Sequence, residues 1–255
     1  MPRFKAAFSL LELLLVIVIL GIMTSFSAEM IANIYGNYIL QRTQHRTSII
    51  AQMVSMQIEN RLQYAIASTI HITPNKLQWV GADMDGFESI TSQNDLRGGW
   101  SGVCDVNRSH GTTVFTPASN LHLANSIIQN LSMHKKSILD AYIYFATDNK
   151  GYSIQAFTKK YITLSQVPRI FVEHYTLAWS AYAVVLEKNN LYLYYRFTPL
   201  ALSSLDKASK SLLAKNVKQF TITHDTNHTS FTLCIQENKE TKFAVSSCQK
   251  KVVFH

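Results

Sequence analysis

The sequence predicts an α+β fold, one long N-terminal α-helix packed against an antiparallel β-sheet. Three observations carry it. From Phe8 to Ile72 the chain runs without a proline and is rich in apolar residues. Beyond Pro74 the texture changes to short alternating runs of β-branched and aromatic residues. Between those runs lie turn-forming stretches such as Asp148-Asn149-Lys150-Gly151 and Lys188-Asn189-Asn190, whose Asn and Gly accept positive φ and so join neighbouring antiparallel strands.

The helix comes first. No charged residue stands between Glu12 and Glu29, so an apolar span of about 16 to 20 residues is available, near the short end of what crosses a membrane. Beyond Ser27 the pattern turns amphipathic, with Met30, Ile34, Tyr38, Ile49, Met53, Met56 and Leu62 at helical spacings. Together these predict one helix of roughly 55 to 60 residues, half anchor and half spine. Gly21 and Gly36 are its soft points, and Pro74 closes the segment because residues before proline are pushed out of helical geometry.

Strand candidates follow at Leu77–Val80, Thr112–Phe115, Ala141–Ala146, Tyr152–Phe157, Ile170–Tyr175, Tyr182–Glu187, Leu191–Phe197, Gln219–His224, Ser230–Gln236 and Lys251–Phe254. Two shorter helices are predicted at Ser119–Met133 and Leu202–Asn216, the second capped by Ser203 or Ser204 and with Lys207, Lys210, Lys215 and Lys218 near its exposed side. With no repeat, low-complexity tract or linker, about 190 residues remain for one globular head.

The front of the chain carries the strongest motif. In AAFSLLELLLVIVILGIM, Ala6 to Met23, a glutamate sits near the start of a membrane-grade apolar run. An ionised carboxylate there costs about 2.5–3.5 kcal/mol on insertion scales, so Glu12 calls for a partner. Arg3 and Lys5 lie on the polar side of the boundary and hold the amino terminus inside. A cut between Ala7 and Phe8 would instead place a new ammonium four residues before Glu12. A cleaved secretory signal ending near Ser27 or Ala28 is the plain alternative, but Phe26 occupies a position where such a site wants a small residue.

These residues resemble the prepilin leader of type IV pilins and type II secretion pseudopilins. Met1–Ala7 match the short basic leader, with Phe8 after the junction, Ser9 at the second mature position and Glu12 at the fifth. The family usually has glycine before the cut; here the small residue is Ala7. The resemblance implies a pilin-like fold, cleavage by a prepilin peptidase between Ala7 and Phe8, N-methylation of Phe8, and an assembly role for Glu12 against a neighbouring subunit's terminal amine. The helix-to-strand run Leu212–Ile222 resembles the larger J-type minor pseudopilins and W-type minor pilins. The expected division is leader 1–7, transmembrane half-helix 8–28, periplasmic half-helix 29–73 and head 74–255. As a whole the resemblance implies a minor pseudopilin or minor pilin in a secretion or DNA-uptake (competence) filament, single-pass in the bacterial inner membrane with a periplasmic head. Its implied partners are other pseudopilins, the peptidase, the assembly platform and, from the charge, DNA. A periplasmic binding protein or enzyme without filament assembly is the alternative.

The rest of the composition is consistent with a non-catalytic chain. Net charge is +8, which favours acidic partners or DNA without identifying either. Basic pairs Lys135-Lys136, Lys159-Lys160 and Lys250-Lys251, with Tyr142, Tyr144, Tyr192, Tyr194 and Tyr195, are the candidate DNA-tracking surface; lysines guarding sheet edges explain them equally. Of three cysteines, Cys234 with Cys248 is the preferred disulfide across a polar loop, with Cys104 an alternative partner for either. Asp105-Val106-Asn107-Arg108-Ser109 and Asp225-Thr226-Asn227-His228-Thr229 both read D-x-N-x-S/T, which marks Asn107 and Asn227 as candidate N-glycosylation acceptors. His224 and His228, near Asp206 and Asp225, read as a hairpin tip and not a metal site, and Asp83–Glu88 as a polar turn and not a calcium loop. No cofactor, metal or catalytic residue is expected.

Overall fold

The computed structural model describes residues 10–89, 98–148, 150–199, 205–206, 208–225, 227–237 and 244–255. Helix α1 (Leu10–Leu62) is followed by β1 (His71–Thr73), β2 (Lys76–Gly81), the one-turn α2 (Met84–Phe87), β3 (Thr113–Phe115) and α3 (Leu121–Leu131). Strands β4 (Tyr142–Phe145), β5 (Gly151–Phe157), β6 (Tyr161–Leu164), β7 (Tyr175–Ala178), β8 (Ser180–Glu187) and β9 (Asn190–Phe197) come next. The chain finishes with β10 (Ser209–Ala214), β11 (Val217–His224), β12 (His228–Glu237) and β13 (Val245–Phe254). A long helix on antiparallel sheets is thus the architecture, as the pattern of the sequence predicts.

Helix α1 is 53 residues long, about 80 Å at 1.5 Å per residue, and is unbroken through Gly21 and Gly36. It ends at Leu62, short of the predicted stop before Pro74. The residues after it, Ala65 to Thr73, are rich in isoleucine and threonine and, apart from a 3-10 turn at Ala67–Thr69, find extended partners: Ile66 N–H donates to the Val80 carbonyl, Ala82 N–H to the Tyr64 carbonyl, and β1 pairs with β2. Pro74 and Asn75 serve as the β1–β2 turn.

The lower half of α1 buries Thr47, Ala51, Val54, Ser55, Ile58 and Leu62, one stripe at helical spacing. That stripe lies in a core shared with Leu77, Trp79, Val184, Leu191 and Leu193 of the sheet β1-β2-β8-β9-β10, and with Phe231, Leu233, Ile235 and Val253 of the sheet β11-β12-β13. Among the described residues, Glu59 meets Lys251 at 2.6 Å and Arg46 meets Glu237 at 3.9 Å, tying the spine to β13 and β12. Between β8 and β9, Lys188 (φ 53°) and Asn189 (φ 120°) make a two-residue hairpin, as their sequence predicts.

The predicted helix Leu202–Asn216 is not formed over its described part. Ser209–Ala214 is instead β10, antiparallel to β9, with Ser209 opposite Tyr195 and Ala214 opposite Leu191. An unpaired β9 outweighed the modest helix propensity of Lys, Leu and Ala there. Leu202, Ser203, Ser204 and Lys207 lie outside the described residues. The predicted strand Ile170–Tyr175 is displaced: Phe171 and Val172 pack on a core from a loop, and the ladder begins only at Tyr175.

Strands β2 and β8 are direct neighbours, with Gly81 opposite Ser180, so residues 82–179 form an insertion between two paired strands. The insertion builds its own sheet, β3-β6-β5-β4-β7, and its own core around Trp100, Val114, Ile128, Ile143, Ile162 and Leu177. Helix α3 contributes Leu121, Ala124 and Ile128; positive φ at Met133 and His134 marks the end of that segment. On the way out the chain turns at Gly81, where any Cβ would stand 2.6 Å from the Tyr182 ring. On the way back β7 runs into β8 through Trp179 alone, one strand passing from the outer sheet to the inner. Val80, Tyr144, Ala178, Ala181, Ala183 and Phe197 fill the seam between them.

Candidate assembly helix and its surroundings

Glu12 stands in the first turn of α1. Ala7 and Phe8, the predicted cleavage and methylation residues, lie outside the described residues. From Leu10 to Ile34 the large apolar side chains are exposed, and the helix is long and apolar enough there to cross a membrane. A helix apolar on every side and, among the described residues, packed on nothing suits lipid or other helices, not water. Its hydroxyls fit that surrounding: Thr24 Oγ1 donates back to the Leu20 and Gly21 carbonyls and Ser27 Oγ to that of Met23, so neither demands an outside partner. Exposed Tyr35 and Tyr38 follow Glu29, where amphipathic rings meet a membrane surface.

Further along, Cys234 and Cys248 face each other across β12 and β13 and are joined as a disulfide, with Cα atoms 4.0 Å apart. Cys104 is a buried thiol whose pKa is pushed up by burial, beside the Ser109 hydroxyl at 3.3 Å. Both sequon asparagines, Asn107 and Asn227, are exposed. Their hydroxyl partners are not: Ser109 Oγ donates to the Asp105 carbonyl and accepts from Phe115 N–H, while fully buried Thr229 Oγ1 sits 2.9 Å from His224 Nδ1 and from His255 Nε2. In the first sequon Asp105 Oδ1 also accepts from Asn107 and Arg108 N–H, so the motif doubles as a self-bonded turn.

Asp83 is the cap of α2, its Oδ1 taking the Gly86 N–H at 3.4 Å. His228 lies with its ring against Phe254, and among the described residues no three metal-binding side chains gather. Several of the candidate DNA-tracking residues are taken up by partners or by burial. Lys251 is paired with Glu59, Lys136 with Asp140, and Tyr144 is buried. Tyr192 and Tyr194 are covered by the Lys210 ammonium, itself 2.6 Å from Glu187. No signal of residue type or spacing singled out Arg61 and Arg196, which the fold brings to one cleft.

Residues 2–28 match the family model for the prokaryotic N-terminal methylation motif. No curated protein and no solved structure was found to match the chain. The motif indicates processing by a prepilin peptidase and pilin or pseudopilin partners, and with the apolar half of α1 it indicates a single-pass membrane anchor. A methylation motif on a membrane-length helix, continued as the spine of an antiparallel head, makes this chain type IV pilin-like.

Proposed function

We propose that the chain is a minor pseudopilin or minor pilin, assembling into a type II secretion-like or DNA-uptake pseudopilus with its head in the periplasm. The observation that supports this best is the unpacked apolar half of α1, from Leu10 to Ile34, with Glu12 its only charge before Glu29. Laid among like helices, that surface leaves water or lipid for protein contact and supplies most of the association energy. Cleavage after Ala7 would free the Phe8 amine. Glu12 of one subunit meeting that amine on its neighbour fixes the register, because a charge left unpaired there costs about 2.5–3.5 kcal/mol. The chain has no reaction chemistry in this reading; a cytoplasmic ATPase acting through the assembly platform drives it. The net charge of +8 tilts the cargo toward DNA.

N-terminal sequencing of the mature protein tests the reading first: a start at methylated Phe8 supports it and a start near residue 28 refutes it. Glu12→Ala should abolish co-purification with partner pseudopilins while the head stays folded; normal co-purification removes the mechanism. Labelled DNA uptake and protein secretion, assayed together in a strain lacking the chain, assign the cargo. Asn107 and Asn227 are proposed acceptors only before the head closes on Ser109 and Thr229, and an intact mass without added sugar in the native host ends that proposal.

A further inference from the structure

Between the end of the spine, the inner sheet and the start of the insertion lies a cleft of about 400 Å³, within the range of binding pockets. Trp179, Tyr182 and Tyr195 supply aromatic walls, and Arg61 and Arg196 put two guanidiniums on the same lining. Neither guanidinium meets a carboxylate within 4.0 Å among the described residues. The hydrogen bond of the Arg61 side chain goes to the Gln57 carbonyl of its own helix, and the Arg196 guanidinium lies 5.5 Å from the Tyr195 ring centre.

The backbone is distorted to make this arrangement. Ala181 pairs with Phe197 and Ala183 with Tyr194, so Tyr195 and Arg196 together stand opposite Tyr182 in a bulge. In a regular strand these two neighbours would face opposite sides of the sheet; here both line the cleft. Arg196 holds φ at 61°, a left-handed conformation that a non-glycine residue adopts at a cost, and its N–H is held at 3.1 Å by Ser180 Oγ. Nothing in the inner core requires that strain, since the Arg196 side chain is not part of it.

We infer that this cleft binds an acidic peptide segment of another protein, its carboxylate between Arg61 and Arg196 and its apolar side chain against Trp179 and Tyr195. Asp85, also on the lining, selects the ligand class. A carboxylate on the wall repels a continuous phosphate backbone, whereas it accepts a hydrogen bond from a peptide N–H or amine. The inference rests on the end of the spine and the head it packs against, and stands whether or not the chain enters a filament.

The test uses the full chain in detergent micelles and three fluorescein-labelled probes: a short peptide alternating Glu and Phe, the same peptide with Gln for Glu, and a short oligothymidine. Saturable binding of the Glu peptide is expected, weakened about tenfold or more by Gln in the peptide or by Arg196→Gly in the protein. Glycine suits φ 61°, so Arg196→Gly should keep or raise the melting temperature, and Arg61→Gln, at an exposed side chain, provides an independent check. The inference is overturned by absent binding, by equal binding of the Gln peptide, by unchanged affinity in both arginine variants, or by tighter binding of oligothymidine in competition with the peptide.

Discussion

Asp83 shows how one side chain can carry a conflict between cap and core. It caps α2 through Oδ1, yet it is buried. Burial, assisted by the nearby Asp85 charge, pushes its pKa up from 3.8 to about 6, against the pull of the Gly86 N–H and of the Trp179 and Trp100 side chains. The folded head therefore holds a proton that the unfolded chain has released between about pH 4 and 6. Stability from this group is greatest below the ordinary carboxylate value and falls as pH rises through 6, by up to about 3 kcal/mol. Asp83→Asn keeps an acceptor for the cap and removes the buried charge. Denaturant unfolding followed by tryptophan fluorescence should show the variant more stable by about 1–3 kcal/mol near neutral pH, with the slope between pH 4 and 6 flattened. Ser109 offers the opposite case. Ser109→Ala leaves the Phe115 N–H without its acceptor inside the head and should cost about 1–3 kcal/mol by the same measurement.

At the scale of elements, the β12–β13 hairpin is the firmest lock on the spine. The disulfide closes a sequence separation of 14, and a loop of that size constrains the unfolded chain by about 3 kcal/mol. Replacing Cys234 and Cys248 together by alanine should lower unfolding stability by about 2–3 kcal/mol, while the ion pair of Glu59 with Lys251 still seats β13 on α1. What could be read in advance follows from how local each signal is. Apolar length, the Lys188-Asn189 turn and the alternation of β8, β9 and β12 are written in neighbouring residues, and they stood out. The exit of α1 at Leu62, the strand β10 and the short β6 are decided by what the chain meets across space. Ser209 to Ala214 has no strong preference of its own until β9 is present to pair with it. For the site, Glu12 was legible because a charge in an apolar run is conspicuous; the Arg61–Arg196 cleft was not, because its walls come from segments far apart in sequence.

For the whole molecule, the head is a two-core body in which the outer core is spliced between β2 and β8. Because Gly81 and Ser180 are already opposite one another, residues 82–179 can be exchanged for an Asn-Gly turn without moving either strand. The shortened chain should still form the Cys234–Cys248 bond and protect it from reduction under native conditions. An exposed, rapidly reduced disulfide would mean that the inner core depends on the outer one. The same splice governs how the head would bear traction. A pull on the outer body reaches the inner sheet down β2 and β8 together, drawing both lengthwise between β1 and β9. Hydrogen bonds loaded that way share the force side by side instead of parting one after another like a zipper, so the joint resists tearing under tension far better than a body hung from a single loop.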